Sequence, residues 1–254
     1  MLAVGICGLP NLVQLAEQVR KLILVGGELL DRLEERGAHG GRHQVGRAHA
    51  QRIAAPGQHV RDALAHLQLA APADVARIGR DHLYVAFTYA WMNTDPDYDL
   101  TVIPFFEKVH GNSYQALHRP GSYYEANTYP VRAVKAAGGI LAAGSDAPVE
   151  TRDPRPFVNM ALAITRCYPG RPPLSPQQSI SVREVIEAYT INGARVLGLE
   201  KDAGSIEVGK SADFVLVDRD ILALADGGHP EAIADSHVLA TWFRGTKVYA
   251  GATR

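Results

Sequence analysis

The chain has 254 residues, 46% of them hydrophobic, enough to bury one sizeable core or a domain plus a small appendage. Its 26 basic and 27 acidic side chains leave a formal net charge of −1, which gives no electrostatic footprint for nucleic acid or an anionic membrane. Cys7 and Cys167 are too few and too far apart for a disulfide framework or a thiolate zinc site. No apolar run has the length of a membrane span, and no basic residue precedes Arg20 as a secretion signal requires, so a soluble cytoplasmic protein is expected.

In chain order, Leu12, Leu15, Ala16, Val19, Leu22 and Ile23 lie at helical spacing and predict an amphipathic helix over 11–36. Residues 37–56 show neither helical nor strand periodicity and are expected to form a loop. No aromatic residue precedes Tyr84, and 32–59 is dense in Arg, Gly, Gln and His, which marks a boundary near 55–65. The apolar run within 62–68 predicts a strand whose end carries His66, and Pro72 with Asp74 opens a helix. The β-branched and aromatic run 83–89 predicts a second strand. A long loop over 91–127 follows, long enough to act as a lid or specificity loop.

A helix begins at Pro130, with Val131 and Val134 on one face, and stops at Gly138 and Gly139. Residues 140–143 form a short buried strand running into Gly144, Ser145 and Asp146. Phe157, Met160, Ala161 and Ile164 make a further helical stripe, and Ser181 with Glu184 forms a capping box for a helix that Gly198 stops. Beyond 200, short strands are expected over 206–208, 214–217, 238–243 and 247–249. The pattern is one of strand–helix units in a parallel sheet, an α/β layer or barrel, followed by a small all-β tail.

Asp146 follows a buried strand, so its carboxylate is expected at the C-terminal mouth, where α/β barrels carry catalytic groups. There it can ligate a metal ion and accept a proton from water, or it can cap the turn that follows. His66 sits at the corresponding end of an earlier strand and is either a metal ligand or a structural residue. His39, His43, His49 and His59 are irregularly spaced in an aperiodic stretch and read as a solvated loop; His82, His110 and His118 have no assigned place. Tyr89, Trp91, Tyr123 and Tyr124 either line a pocket or belong to the core. Glycine-rich phosphate loops, the G-x-S-x-G elbow and the H-E-x-x-H motif are all absent.

Four stretches, in this order and at these distances, carry a resemblance: Ala-His-Leu-Gln-Leu-Ala-Ala-Pro-Ala-Asp at 65–74, Ala-Ala-Gly-Ser-Asp-Ala-Pro-Val at 142–149, Ala-Tyr-Thr-Ile-Asn-Gly-Ala at 188–194, and Gly-Ser-Ile-Glu-Val-Gly-Lys-Ser-Ala-Asp-Phe-Val-Leu-Val-Asp at 204–218. Together they resemble amidohydrolase family 3 of the amidohydrolase superfamily, over roughly 60–250. The resemblance implies a (β/α)₈ barrel with a metal centre at its mouth and a small β-sandwich built from both chain ends. It makes His66 a metal ligand and Asp146 both a ligand and the group that activates water and protonates the leaving nitrogen. The implied reaction is hydrolysis of a non-peptide amide C–N bond in a small molecule, with zinc or a similar divalent ion.

The family's H-x-H pair, its strand-four ligand and its strand-five histidine with Gly-Asp-Arg have no counterpart in this sequence. A catalytic zinc site uses about three protein ligands, and a full barrel takes roughly 250 residues. The expected fold is therefore α/β, an incomplete barrel over 59–200 with a β-sandwich tail over 201–254. Residues 1–58 are expected to be an atypical helix-plus-loop segment foreign to the family, arising from a displaced start or a shifted reading frame. The functional expectation is a truncated metal-dependent amidohydrolase; the alternative is an inactive fragment, or an interaction module that self-associates through an open sheet edge.

Overall fold

The computed structural model describes residues 3–5, 50–53, 61–92, 121–147 and 152–251. Their strands are β1 (Ala3–Gly5), β2 (Ala50–Ile53), β3 (Arg61–Ala65), β4 (Tyr84–Phe87), β5 (Ile140–Ala143), β6 (Phe214–Val217), β7 (Val238–Phe243) and β8 (Thr246–Ala250). They form two sheets, ordered β2-β3-β4-β5 and β1-β6-β7-β8.

In the first sheet β3, β4 and β5 run parallel, with Ala65 beside Ala86 and Ala86 beside Ala142. Parallel neighbours need a crossover, which helices usually supply. Helix α1 (Pro72–Arg80) makes the first, with Pro72 in its opening turn and Val75, Ile78 and Gly79 on its buried face. The second includes α2 (Tyr123–Asn127) and α3 (Val131–Ala137), the latter burying Val131 and Val134. Where α1 meets α3 the two backbones touch: a Cβ on Gly79 would lie 2.0 Å from the carbonyl oxygen of Ala137. Only glycine permits that approach. Gly138 then ends α3 at φ 107°, a left-handed cap.

Helix α4 (Pro156–Thr165) follows β5, and α5 (Val182–Tyr189) begins with the expected box, Ser181 and Glu184 satisfying each other's backbone N–H groups. Helix α6 (Ile191–Leu197) ends at Gly198. One core joins these elements: Val85 and Phe87 of β4, Val134 of α3 and Val185 of α5 are fully buried, and Val215 and Val217 bring the second sheet onto the same cluster.

Four expectations need correction. The strand that carries His66 stops at Ala65, one residue before it, because His66 and Leu67 both adopt positive φ, 69° and 39°. Residues 50–53, expected in a loop, form β2, which pairs antiparallel with the edge of β3. That pairing is made by backbone groups and needs no side-chain alternation to announce it. No strand forms over 206–208: Ile206 and Val208 are exposed, between Gly204 and Gly209 at φ 90° and 95°, and a Ser205–Glu207–Lys210 side-chain network braces the turn. The tail is not all β, since α7 (Ile221–Asp226) lies between β6 and β7, capped by Asp220, whose carboxylate accepts from the N–H groups of Leu222 and Ala223.

Among the described residues the first sheet is open and does not close a barrel. The second is a single antiparallel layer that draws β1 from the opposite chain end. The long 91–127 segment contains α2, and 93–120 lies outside the described residues, as does the helix expected over 11–36. Among the described residues no helix is long and apolar enough to cross a membrane.

Candidate metal-binding mouth of the parallel sheet

The C-terminal ends of β3, β4 and β5 place three polar side chains side by side. The ladder runs one residue past each neighbouring strand: the N–H of His66 donates to the carbonyl of Ala86 at 2.8 Å, and that of Gly144 to Phe87 at 3.0 Å. The backbone then turns sharply, with φ 69° at His66 and 52° at Asp146. Left-handed backbone at a non-glycine residue costs on the order of 1 kcal/mol or more and concentrates at functional sites. Both turns aim their side chains into one space. Nε2 of His66 stands 3.9 Å from Oδ1 of Asp146, with side-chain exposures of 36% and 30%.

That separation is beyond hydrogen-bond range. It is close to the spacing of two ligands on one ion, about 3.4 Å for a tetrahedral zinc with bonds near 2.1 Å. The other ring nitrogen, Nδ1, lies 3.0 Å from Oγ1 of Thr88, the buried residue just beyond β4. The face of the imidazole stacks on Trp91, centroids 4.7 Å apart and planes inclined 27°.

Trp91 belongs to a short 3₁₀ turn, Tyr89–Trp91, that is pinned from above by α4. The N–H of Ala90 donates to Oδ1 of Asn159 at 2.8 Å, while the amide of Asn159 donates back to the carbonyls of Pro154 and Arg155. Asn159 is 2% exposed, so this buried amide is satisfied on both sides and locks α4 over the mouth.

Of the residues singled out in the sequence, His66 and Asp146 are brought together and Trp91 joins them; Tyr89 is fully buried and its hydroxyl donates to the carbonyl of Ala142. Tyr124 is buried and Tyr123 half exposed. His82 is structural, its Nδ1 lying 3.2 Å from the carbonyl of Gly138 at the end of α3. His39, His43, His49, His59, His110 and His118 lie outside the described residues. Sequence reasoning missed Thr88 and Asn159. Thr88 had a usable signal, a hydroxyl one residue beyond an apolar strand; Asn159 had another, a lone amide inside an apolar helical stripe.

The donor types fit a divalent ion of the zinc type: an imidazole nitrogen and a carboxylate oxygen 3.9 Å apart, with the second imidazole nitrogen engaged as such ligands usually are. Among the described residues no group of three His, Cys, Asp or Glu side chains assembles, so a third ligand is not among them.

His66 and Asp146 thus stand at strand ends on one side of a parallel sheet in an α/β protein. The chain belongs to the amidohydrolase family, whose sequence profile (Amidohydro_3) matches residues 25–249. It is 33% identical to the N-substituted formamide deformylase of Arthrobacter pascens over 121 residues, 48% of this chain and 21% of that protein. It is 29% identical to the imidazolonepropionase of Bdellovibrio bacteriovorus over 126 residues, 44% of this chain and 29% of that one. Among solved structures, an adenosine deaminase from Xanthomonas campestris with bound zinc aligns with a TM-score of 0.47 and 20% identity, over 73% of this chain and 36% of that chain. The matched part thus spans 21% and 29% of the length of these two curated relatives.

Proposed function

We propose that this chain carries one side of the metal site of a hydrolase acting on non-peptide amide C–N bonds, with His66 as a metal ligand and Asp146 as both ligand and proton-transfer group. The observation that carries the reading is the convergence of His66 and Asp146, from β3 and β5, to 3.9 Å. Membership of the amidohydrolase family supports the reaction class and the metal dependence.

A divalent ion, when bound, supplies Lewis acidity at the amide carbonyl. The chain's own groups supply the rest. His66 holds its ring edge toward the mouth, and Trp91 walls off one face of it from solvent. Asp146 accepts a proton from the attacking water as oxygen bonds to the carbonyl carbon. It then returns that proton to the nitrogen as the C–N bond breaks, releasing a carboxylic acid and an amine. An N-substituted formamide is the first substrate to screen, given the relative named for that activity.

A second reading, an interaction module, has its own observation: β8 is exposed along its whole length, with Val248 at 59% and Tyr249 at 51%. An exposed apolar edge strand is a template for pairing with another strand. Elemental analysis of the purified chain tests the first reading directly. About one zinc per chain, lost in His66→Ala, is expected; an equal zinc content in both proteins, or none in either, contradicts it.

A further inference from the structure

Asn159 is a buried amide in an otherwise apolar stretch of α4, between Val158 and Met160. A buried amide costs stability unless both of its ends are hydrogen-bonded. Here both ends are, and the chemistry of the partners fixes each direction. A backbone N–H can only donate, so Oδ1 of Asn159 is the atom 2.8 Å from the nitrogen of Ala90. Carbonyls can only accept, so Nδ2 donates to Pro154 at 3.3 Å and to Arg155 at 3.1 Å. Arg155 stands at φ 39°, a left-handed conformation that this bond helps to hold at the start of α4.

What Asn159 grips on its other side is the wall of the mouth. Ala90 is the middle residue of the turn Tyr89–Trp91, and the next ring, Trp91, stacks on His66 with centroids 4.7 Å apart. The carbonyl of Ala90 is approached from the same region: the hydroxyl of Tyr168, just beyond the end of α4, donates to it at 3.4 Å. The peptide groups on both sides of Ala90 are therefore held by α4 and the segment that follows it. We infer that Asn159 is a positioning residue that sets Trp91 against the face of His66 and ties that wall to the start of α4. The inference rests on the reading of His66 as a metal ligand for its bearing on the reaction; the stacking itself is measured without any metal.

The test compares the full chain, metal-free and at one pH, with Asn159→Leu, Trp91→Leu and Gly79→Ala, each checked for native folding by circular dichroism. Protons held over an indole face are shielded, so the two carbon-bound ring protons of His66 read the stacking in proton NMR. Trp91→Leu marks their unstacked positions. Asn159→Leu is expected to move both resonances at least half of the way there. Gly79→Ala, which strains the α1–α3 contact where those helices end before β4 and β5 begin, is expected to leave them in place. Resonances that stay put in a folded Asn159→Leu, or that move as far in Gly79→Ala, overturn the inference. Amide exchange in the wild type needs no variant to fold: a protected Ala90 N–H is expected, and exchange at the rate of an unstructured peptide overturns the inference. Calorimetric titration with zinc chloride addresses the metal reading separately. A wild type that binds no zinc sinks that reading, and the ring shifts still decide the role of Asn159.

Discussion

Arg166 is fully buried just beyond the C-terminal end of α4, an uncommon place for a guanidinium. Its Nε donates to the carbonyl of Leu174 at 2.8 Å, Nη1 reaches the carbonyl of Tyr129, and the group lies over the Tyr129 ring, 5.9 Å from its centre. Burial pushes its pKa down to about 10, opposed by the tyrosines around it. The side chain ties the loop after α4 to the start of α3 by hydrogen bonds and volume together. Removing both should cost more than removing the bonds alone. Arg166→Ala is expected to lose about 2–5 kcal/mol in urea unfolding, and Arg166→Met distinctly less, because the thioether chain refills the space. Equal losses in the two variants would assign the whole effect to the hydrogen bonds.

At the scale of elements, α5 is anchored by Glu184. Its carboxylate accepts from the N–H of Ser181 and pairs with Arg132 and Lys135 of α3, each at 3.0 Å. Partial burial works against ionisation, but the hydrogen bonds from the Ser181 N–H, Lys135 and Arg132 outweigh it and pull the pKa from 4.5 down to about 2. The sign follows from the folded value lying below the ordinary one. The stabilisation is complete above pH 4.5 and is lost as pH falls toward 2. Urea midpoints measured from pH 6 to pH 2 should therefore fall less steeply for Glu184→Gln than for wild type, about as steeply only if the contacts contribute nothing. The α1–α3 contact gives a second expectation: Gly79→Ala must force backbones apart at Ala137 and should destabilise thermal unfolding by about 1–3 kcal/mol.

These elements also show what the sequence carried. The Ser181 box, the strand over 140–143 and the stop at Gly138 were legible because each is a local signal, a cap, a short apolar run after a glycine pair, a glycine. The strand expected over 206–208 failed because its glycines serve a turn, and β2 was invisible because an edge pairing is specified by its neighbour. His66 and Asp146 could each be placed at a strand end from the sequence, but their meeting depends on β4 lying between their strands, which only the sheet order supplies.

For the whole molecule, two surfaces carry the proposed readings. One is β8, whose exposed edge gives a concentration-dependent expectation: sedimentation velocity should show self-association that weakens when Val248 and Tyr249 are both replaced by lysine. The other is the mouth of the parallel sheet, where His66 and Asp146 face each other. The most direct measurement is anomalous diffraction at the zinc edge from crystals of the chain grown with zinc. A peak is expected within about 2.0–2.2 Å of both Nε2 of His66 and a carboxylate oxygen of Asp146. A zinc peak elsewhere with this pair left empty, or His66 and Asp146 joined directly without an ion, would contradict it.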